Sequence, residues 1–284
     1  DASHLPIKCV PADEVIKEGE HPALALRRKP NTSVAVATKL VKAGEADAMV
    51  SAGSTGAMVA STLQVLGCIE GVERPVVGGP IVGFAPQTVL LDVGGNIDCK
   101  PYHLLNFAVI GSVYAEKMMN IPDPTVALLS VGAEEGKGNE LVQESYPLLQ
   151  ESGLNFIGNV EGRDIISGQA NVIICDGFVG NILTKFCEGL GTSIAEWLKN
   201  NLEERLPSAD IEKLRTDLLS LTNVADVHGG GPLLGINGIA VVMHGRSRSP
   251  QVASAISQAK TAAESDLVSA MNSELLRIKE KARQ

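Results

Sequence analysis

The stretch Thr88-Val-Leu-Leu-Asp-Val-Gly-Gly-Asn-Ile-Asp-Cys-Lys-Pro101 joins a short apolar run to a polar turn with two glycines and then to a proline. A continuous apolar run is typical of a strand covered on both faces, and proline is favoured in the first turn of a helix. The same succession of apolar run and glycine-containing polar turn recurs along the chain. It predicts six strands, at residues 46–50, 88–92, 125–130, 155–158, 171–175 and 239–243.

Stretches of helical length separate most of these strands. One predicted helix begins at Thr32 or Ser33, which suit the N-cap, and ends before Gly44, while another begins at Pro101. Alternating strands and helices predict an α/β fold with a largely parallel sheet. Because ligands bind outside the carboxyl ends of the strands in such sheets, we expect the turns that follow the strands to form the site.

The composition of the 284-residue chain is that of a globular protein with a large core, since 44% of its residues are hydrophobic and 20% are charged. The net charge of −9 would repel a nucleic-acid backbone, and aromatic residues, at 3%, are too few for base stacking. Nucleic acid is therefore excluded as a partner. Five cysteines without C-x-x-C spacing indicate reduced thiols in a cytoplasmic protein.

Residues 181–226 lack the apolar runs of the predicted strands and instead predict two helices that are broken at Pro207-Ser208. We expect this helical hairpin to project from a single α/β domain that spans residues 1–284. Its apolar residues favour burial against a second copy of the chain or, as the less favoured alternative, against a membrane surface. They are Leu190, Ile194, Trp197, Leu198 and Leu202 in the first helix and Ile211, Leu214, Leu218, Leu219 and Leu221 in the second.

Two of the turns favour anion binding. Ser51-Ala-Gly-Ser-Thr-Gly56 lies between a strand and a helix, where small residues let backbone N–H groups approach an anion, although a plain strand-to-helix turn explains it equally well. The turn that ends at Pro101 carries two carboxylates, an amide and Lys100, which are more polar groups than a structural turn needs. Cys99 in that turn is a candidate nucleophile without a base beside it, so a buried thiol is the preferred interpretation.

The next two turns also carry charged residues. Gly132-Ala-Glu-Glu-Gly-Lys-Gly-Asn139 is one residue too short for a nucleotide-binding P-loop and has glycine where Ser or Thr would hold magnesium, so it predicts simple anion or carbonyl binding. Arg163 is suited to gripping phosphate through its planar guanidinium. A salt bridge between Arg163 and Glu161, Asp164 or Asp176 is an equally good interpretation.

The sequence lacks the motifs of several enzyme classes. It has no G-x-S-x-G elbow of a serine hydrolase, no H-E-x-x-H or Cys/His cluster for zinc, and no G-x-G-x-x-G turn for a dinucleotide. A candidate for proton transfer is His244, which follows the last predicted strand. A structural role and a role in the site are equally supported for this histidine.

Taken in order, the turns resemble those of the bacterial phosphate acyltransferases of phospholipid synthesis, the PlsX family. The resemblance extends from about residue 46 to residue 246, and several motifs in the family's order are more specific than any one of them. The matching stretches are Ser51-Ala-Gly-Ser-Thr-Gly-Ala57, Leu90-Leu-Asp-Val-Gly-Gly-Asn-Ile-Asp-Cys-Lys-Pro101, Glu134-Glu-Gly-Lys-Gly-Asn-Glu-Leu141, Asn155-Phe-Ile-Gly-Asn-Val-Glu-Gly-Arg-Asp164, Cys175-Asp-Gly-Phe-Val-Gly-Asn181, and Gly230-Gly-Pro-Leu-Leu-Gly-Ile-Asn-Gly238 with His244-Gly245.

The chain also departs from the family pattern. The family's opening strand and its D-A-M-G-G-D turn are absent, Ser54 stands where the family has Asn, and Gly95 replaces an Ala. The connection between Pro80 and Pro86 is different as well. We therefore expect an N-terminal segment of the family's site to be missing from this chain.

The resemblance implies an enzyme that moves a fatty acyl group from acyl carrier protein to inorganic phosphate and gives an acyl phosphate, with no cofactor and no metal. It implies a three-layer α/β sandwich with a parallel or mixed sheet, like that of the isocitrate and isopropylmalate dehydrogenases. It also implies a cytoplasmic homodimer with peripheral contact at the inner face of the plasma membrane. Three alternatives stay open: a phosphate acetyltransferase that uses coenzyme A, a decarboxylating dehydrogenase, and a phosphate- or acyl-binding regulator without turnover.

In such a reaction a phosphate oxygen can attack the thioester carbonyl directly, so the protein has mainly to hold a dianion and to stabilise an oxyanion. We expect Lys100, Asn159 and His244 to lie near the reacting centre as catalytic residues. The residues expected to bind substrate are Ser51, Gly53, Ser54, Thr55, Gly56, Asp92, Gly94, Asn96, Asp98, Lys137, Gly138, Asn139, Glu161, Arg163, Asp176, Gly177, Asn181 and Asn237.

Overall fold

The computed structural model describes residues 4–17, 19–227 and 229–281. Within these ranges the chain forms ten α-helices, one 3-10 helix at Gly162–Ile165, and eight strands that join in one sheet. The strands are β1 Met49–Ser51, β2 Val76–Gly79, β3 Val89–Leu91, β4 Val126–Leu129, β5 Phe156–Val160, β6 Val172–Ile174, β7 Gly231–Leu234 and β8 Ala240–Val242. The α-helices are α1 Pro22–Arg28, α2 Ser33–Lys42, α3 Thr55–Val65, α4 Pro101–Met119, α5 Glu140–Ser152, α6 Gly177–Leu202, α7 Ser208–Thr222, α8 Val224–Val227, α9 Ser249–Glu264 and α10 Leu267–Lys281.

All six predicted strands are present, as β1, β3, β4, β5, β6 and β8. The two predicted helices are α2 and α4, and their ends follow the expected capping signals. Thr32 is the N-cap of α2, and Pro101 is the first residue of α4. The two helices of the predicted hairpin are α6 and α7, and Pro207 is the N-cap of α7.

β2 and β7 are strands that the sequence analysis does not identify, and they lie in the middle of the sheet. The strand order is β1-β8-β7-β2-β3-β6-β4-β5. β2 pairs antiparallel with both β3 and β7, and β7 pairs antiparallel with β8. These reversals make β1 and β8 run opposite to β3, β4, β5 and β6. The sheet is therefore mixed, and the expectation that all the turns after strands lie at one edge is wrong.

Helices cover both faces of the sheet, which gives three layers. Along β3, Val89 and Leu91 pack with residues of α4, whereas Leu90 points to the other face and packs with residues of α6. At the other end of the sheet, α2 and α3 cover one face and α9 covers the opposite face. Burial on both faces explains why the strands are continuous apolar runs. None of the helices in the described ranges combines the length and the apolar character that crossing a membrane requires.

The packing of α6 against α7 depends on a close contact at Gly191. A Cβ atom added at Gly191 would lie 1.9 Å from Oγ1 of Thr222, so a larger residue does not fit without movement. Gly189, two residues earlier on the same helix, is exposed, and an added Cβ would meet nothing within 4 Å among the described residues. The two glycines therefore separate the effect of packing from the effect of helix propensity.

We predict opposite effects on stability for alanine at these two positions. Gly191→Ala should lower the free energy of unfolding by about 1–3 kcal/mol because it overpacks the contact between the two helices. Gly189→Ala should raise it by up to about 1 kcal/mol because alanine is the better helix former. Urea unfolding of both variants and the wild type measures the difference, and equal effects at the two positions would contradict the packing of α6 on α7.

Candidate active site

A cleft with a volume of about 760 Å³ crosses the sheet at β2 and β7. Its lining includes Val77, Gly78 and Gly79 from β2, and Gly231 and Pro232 from β7. The strands are three to five residues long, or roughly 10–17 Å, so one cleft can reach turns at both edges of the sheet. The predicted site residues that line it are Thr55 and His244 from one edge and Gly94 and Asn181 from the other.

The turn before α3 forms the end of the cleft beside β1 and β8. Ser54 is the N-cap of α3, and its Oγ accepts a hydrogen bond from the backbone N of Ala57 at 3.5 Å. Oγ of Ser51 accepts from the backbone N of Gly53 at 3.1 Å. Thr55, the first residue of α3, lines the cleft, so the partial positive charge of the helix N-terminus lies beside it. This arrangement suits a small anion.

His244 reaches the same end of the cleft from the end of β8. Its Nδ1 forms a hydrogen bond with Oδ1 of Asp226, and Oδ2 of Asp226 accepts from Arg246 at 2.6 Å. Burial alone would raise the pKa of Asp226, but the hydrogen bonds and charges of His244 and Arg246 together outweigh it and hold the pKa below its usual value. The Asp226 carboxylate is therefore ionised at neutral pH. Sequence analysis does not identify Asp226, because 18 residues separate it from His244.

The buried carboxylate of Asp92 supports the opposite end of the cleft. Oδ1 of Asp92 accepts from the backbone N of Gly95 at 2.9 Å and of Gly94 at 3.1 Å, and Oδ2 accepts from Nδ2 of Asn96 at 2.7 Å. Burial raises the pKa of Asp92, and these hydrogen bonds partly offset that effect. Asp92 and Asn96 thus hold the turn in shape from within, and Gly94 lies beside Asn181 in the cleft.

α6 brings two charged residues to the cleft that sequence analysis does not single out. Nζ of Lys185 lies 2.8 Å from Oε2 of Glu188, and both residues line the cleft. The predicted site residues Asp176 and Gly177 fix the start of this helix. Oδ1 of Asp176 accepts from the backbone N of Val179 at 3.0 Å, and Gly177 is buried.

Lys100 is not among the described residues that line the cleft. It is the N-cap of α4, and its backbone N donates to Nδ1 of the buried His103 at 3.0 Å. Nζ of Lys100 lies 5.7 Å from the centre of the Tyr102 ring. Nε2 of His103 lies 3.3 Å from Glu73, so Lys100 belongs to a polar cluster of its own at the start of α4.

The neighbouring Cys99 is unsuited to nucleophilic attack. Burial, followed by the charges of Asp92 and Asp176, raises the pKa of the Cys99 thiol to about 11. A thiol that stays protonated at neutral pH is a poor nucleophile, because the thiolate is the reactive form. Cys99 is half-buried rather than fully buried, and its raised pKa favours the interpretation as an inert thiol over that as a nucleophile.

The turns after β4 and β5, together with the end of β5 itself, hold most of the other charged and amide residues predicted for the site. Asn139 is the N-cap of α5, and Nδ2 of the buried Asn159 donates to the carbonyl of Glu134 at 2.9 Å. Arg163 is 78% exposed, and its Nε lies 3.4 Å from Glu161, so the salt-bridge alternative is the one present. The residues of this group that are not among the described lining of the cleft are Lys137, Gly138, Asn139, Asn159, Glu161 and Arg163.

Two further predicted binding residues lie in turns at the edge where β3 and β7 end. Nδ2 of Asn237 donates to the carbonyl of Cys68 at 2.6 Å. The carbonyl of Asp98 accepts from Arg74 at 3.2 Å. Both residues are exposed, and both lie outside the part of the described chain that lines the cleft.

The family described as "Fatty acid synthesis protein" matches residues 1–270 of the chain. The chain belongs to this family. The phosphate acyltransferase of Desulforamulus reducens is 47% identical over 271 residues, which are 95% of this chain and 81% of that protein. The phosphate acyltransferase of Desulfitobacterium hafniense is 47% identical over 274 residues, which are 94% of this chain and 81% of that protein. These matches confirm the resemblance to the PlsX family.

Solved structures with a similar fold include two phosphotransacetylases. The enzyme from Streptococcus pyogenes has a TM-score of 0.57 and 20% identity, over 85% of this chain and 69% of that chain. The EutD phosphotransacetylase from Staphylococcus aureus has a TM-score of 0.55 and 23% identity, over 84% and 69%. At these identities the likeness shows the fold alone, and it confirms the predicted α/β fold class.

We predict that Asp92→Asn destabilises the protein. The amide nitrogen that replaces one carboxylate oxygen would face either the Asn96 amide or the backbone N–H groups of the turn, so a buried donor would lose its acceptor. The expected loss is about 1–3 kcal/mol in the free energy of unfolding. The exposed Asp98 in the same turn offers a matched control, since Asp98→Asn should change the value by less than about 0.5 kcal/mol. Urea unfolding measures both, and an equally small loss for Asp92→Asn would refute the supporting role.

Proposed function

We propose that this protein transfers a fatty acyl group from acyl carrier protein to inorganic phosphate and forms an acyl phosphate for phospholipid synthesis. The observation that carries the proposal is the single cleft that joins the N-terminus of α3 to His244 and Asn181. The names of relatives at 47% identity, which are phosphate acyltransferases, support the same enzyme class for this chain.

The start of α3 is the proposed phosphate site. The first N–H groups of a helix have no acceptor within the helix, and the helix dipole favours an anion beside them. Gly53 and Gly56 are exposed and leave the backbone accessible next to Thr55. Because the chain carries a net charge of −9, phosphate binding relies on these local donors rather than on the overall field of the protein.

Direct attack of phosphate on the thioester needs neither a protein nucleophile nor a metal. The demanding part is the negative charge that develops on the carbonyl oxygen, which a fixed hydrogen-bond donor can stabilise. The backbone N–H groups at the start of α3, beside the proposed phosphate site, are the proposed donors, whereas Asn181 lines the cleft at the other edge of the sheet. Lys100 and Asn159 lie outside the described lining of the cleft, so the proposal assigns them no contact with the reacting atoms.

The apolar part of the cleft is the proposed place of the acyl chain. Its lining includes Pro80, Ile81, Val82, Val93 and Val224. Each methylene buried against such a wall contributes about 0.8 kcal/mol. This term favours a long acyl donor over an acetyl donor and thus counts against the phosphate acetyltransferase alternative.

An assay of thioester cleavage tests the proposed reaction. Palmitoyl carrier protein should release its thiol only when phosphate is present, and mass spectrometry should detect an equal amount of acyl phosphate. Acetyl-coenzyme A should react more slowly by at least about tenfold, because its acyl group leaves the apolar wall empty.

Each alternative function predicts a different experimental result. Preference for acetyl-coenzyme A would favour a phosphate acetyltransferase. Phosphate binding in calorimetry without thiol release would favour the regulator, and reduction of a nicotinamide cofactor with loss of CO₂ from a hydroxy acid would favour the dehydrogenase. Any of these results in place of acyl phosphate formation would contradict the proposal.

We further propose a cytoplasmic homodimer that forms through α6. Exposed apolar side chains recur about every four residues along this helix, and a contiguous exposed apolar patch of this kind marks an interaction surface. Leu198, Leu202 and Leu218, which the sequence predicts at the interface, are half-buried within the hairpin instead. The exposed face of α6 consists of Phe178, Ile182, Phe186, Leu190, Ile194 and Trp197.

Phe186→Asp should convert this dimer into monomers at micromolar concentration, because the interface would bury a carboxylate. Phe186 is 64% exposed, so the fold of the monomer should survive the change. Ile256, 55% exposed on α9, provides the control, and Ile256→Asp should remain dimeric. Sedimentation analysis measures both variants. A wild-type monomer that binds vesicles of anionic phospholipid would refute the dimer and favour the membrane alternative.

A further inference from the structure

The hydrogen bond between Asp226 and His244 determines which ring nitrogen is available to the cleft. Asp226 holds Nδ1 of His244, and His244 lines the cleft with 36% of its side chain exposed. Nε2 is therefore the nitrogen that can exchange a proton with a ligand in the cleft. An imidazole whose Nδ1–H is held by a carboxylate presents Nε2 first as a base and then as an acid.

Asp226 is itself held from a second side. Arg246 donates to its Oδ2 at 2.6 Å, while Oδ1 engages His244. The Asp226 side chain is 27% exposed and that of Arg246 is 69% exposed, so the carboxylate is the inner partner. Val224 and Ala225, which precede Asp226 in α8, line the cleft. The carboxylate is thus fixed between the cleft wall and the arginine.

We propose that Asp226 is a positioning residue that orients His244 to move a proton between phosphate and the leaving sulfur. The inference rests on the proposed acyl transfer and adds the group that carries the proton. Asp226 touches neither substrate. It acts through the ring of His244, which it holds in one tautomer and stabilises when the ring is charged.

The step balances without a further reactant. The hydroxyl of monohydrogen phosphate gives its proton to Nε2 of His244, and its oxygen forms the C–O bond with the thioester carbon. The C–S bond then breaks, and its electron pair goes to sulfur. Nε2 returns the proton to the sulfur, which leaves acyl phosphate, a free thiol and a neutral His244.

Other charged groups line the same cleft as His244. From α6 come Lys185 and Glu188, which pair with each other at 2.8 Å. From α3 comes the partial positive charge of the helix N-terminus, and the residues that α9 contributes to the lining carry uncharged side chains. The carboxylate in direct contact with the ring is that of Asp226, and Arg246 is the cation paired with it.

The kinetic test compares the pH dependence of turnover in the wild type and in Asp226→Asn, which keeps the shape of the side chain and removes its charge. We expect kcat to fall by about 10–100-fold while the KM for phosphate changes by less than about threefold. The limb of the pH profile that depends on His244 should move to lower pH, because an adjacent anion favours the charged imidazole. Asp226→Glu restores the charge and should recover part of both effects.

A matched control uses a second carboxylate–histidine pair in the described part of the chain. Glu73 lies 3.3 Å from Nε2 of His103, outside the described lining of the cleft. Glu73→Gln should keep the pH profile of the wild type. An equal shift of the profile in Glu73→Gln and Asp226→Asn would overturn the proposal, because the effect would then belong to stability in general.

A second readout does not depend on turnover. NMR titration of ¹⁵N-labelled histidine in the resting protein, with the His244 signal assigned by its loss in His244→Gln, should show a lower pKa of His244 in Asp226→Asn. An unchanged titration, or an unchanged pH profile in an active enzyme, would overturn the proposal. A wild type that forms no acyl phosphate would instead refute the proposed function, while the titration would still report on the Asp226–His244 pair.

Discussion

The antiparallel pairing of β2 with β7 joins the two parallel parts of the sheet, and the geometry of the cleft depends on it. Val76 pairs with Leu234 and Val77 with Leu233, while β2 also pairs with β3 and β7 with β8. The reversal of direction sends the start of α3 and the turn after β3 to opposite edges of the sheet. The cleft between them crosses the same two strands. The residue beside β8 at position 230 has to be glycine. Its φ is +117°, and a Cβ atom added there would lie 2.0 Å from the carbonyl oxygen of Val242, so a side chain would not fit.

The buried carboxylate of Asp92 and the partly exposed carboxylate of Asp226 serve two different purposes. Asp92 is fully enclosed by the turn that it organises, so its hydrogen bonds go into holding Gly94 in place. Asp226 follows the cleft-lining residue Ala225 and forms its hydrogen bonds with His244 and Arg246. The rigid turn lies at one edge of the sheet, and the oriented imidazole lies at the other edge together with the anion-binding start of α3, which is the proposed place for phosphate. Many polar residues at strand ends, such as Asp92, Asn96 and Asp176, hold turns and helix starts in place, and few of the predicted site residues line the cleft.

The sequence predicts the six strands that are buried on both faces, because each is a continuous apolar run. It does not predict β2 and β7, since Val-Val-Gly-Gly and Gly-Pro-Leu-Leu resemble turns by their glycine and proline content. The error about the edges of the sheet follows from those two strands. Among site residues, Thr55 and His244 could be found from local pattern, whereas the contact of Asp226 with His244 joins different elements and leaves no local signal. Lys100 has the chemistry of a site residue, but the contact of its backbone N with His103 places it in another cluster.

The central claim is that acyl transfer takes place in the cleft between α3 and His244. A crystal structure of the protein with saturating phosphate and a thioether analogue of the acyl donor tests it most directly. The account predicts phosphate on the backbone N–H groups of Thr55 and Gly56, with one oxygen about 2.6–3.2 Å from Nε2 of His244. Phosphate bound by Lys137, Asn159 and Arg163 at the ends of β4 and β5, with none in the cleft, would contradict it.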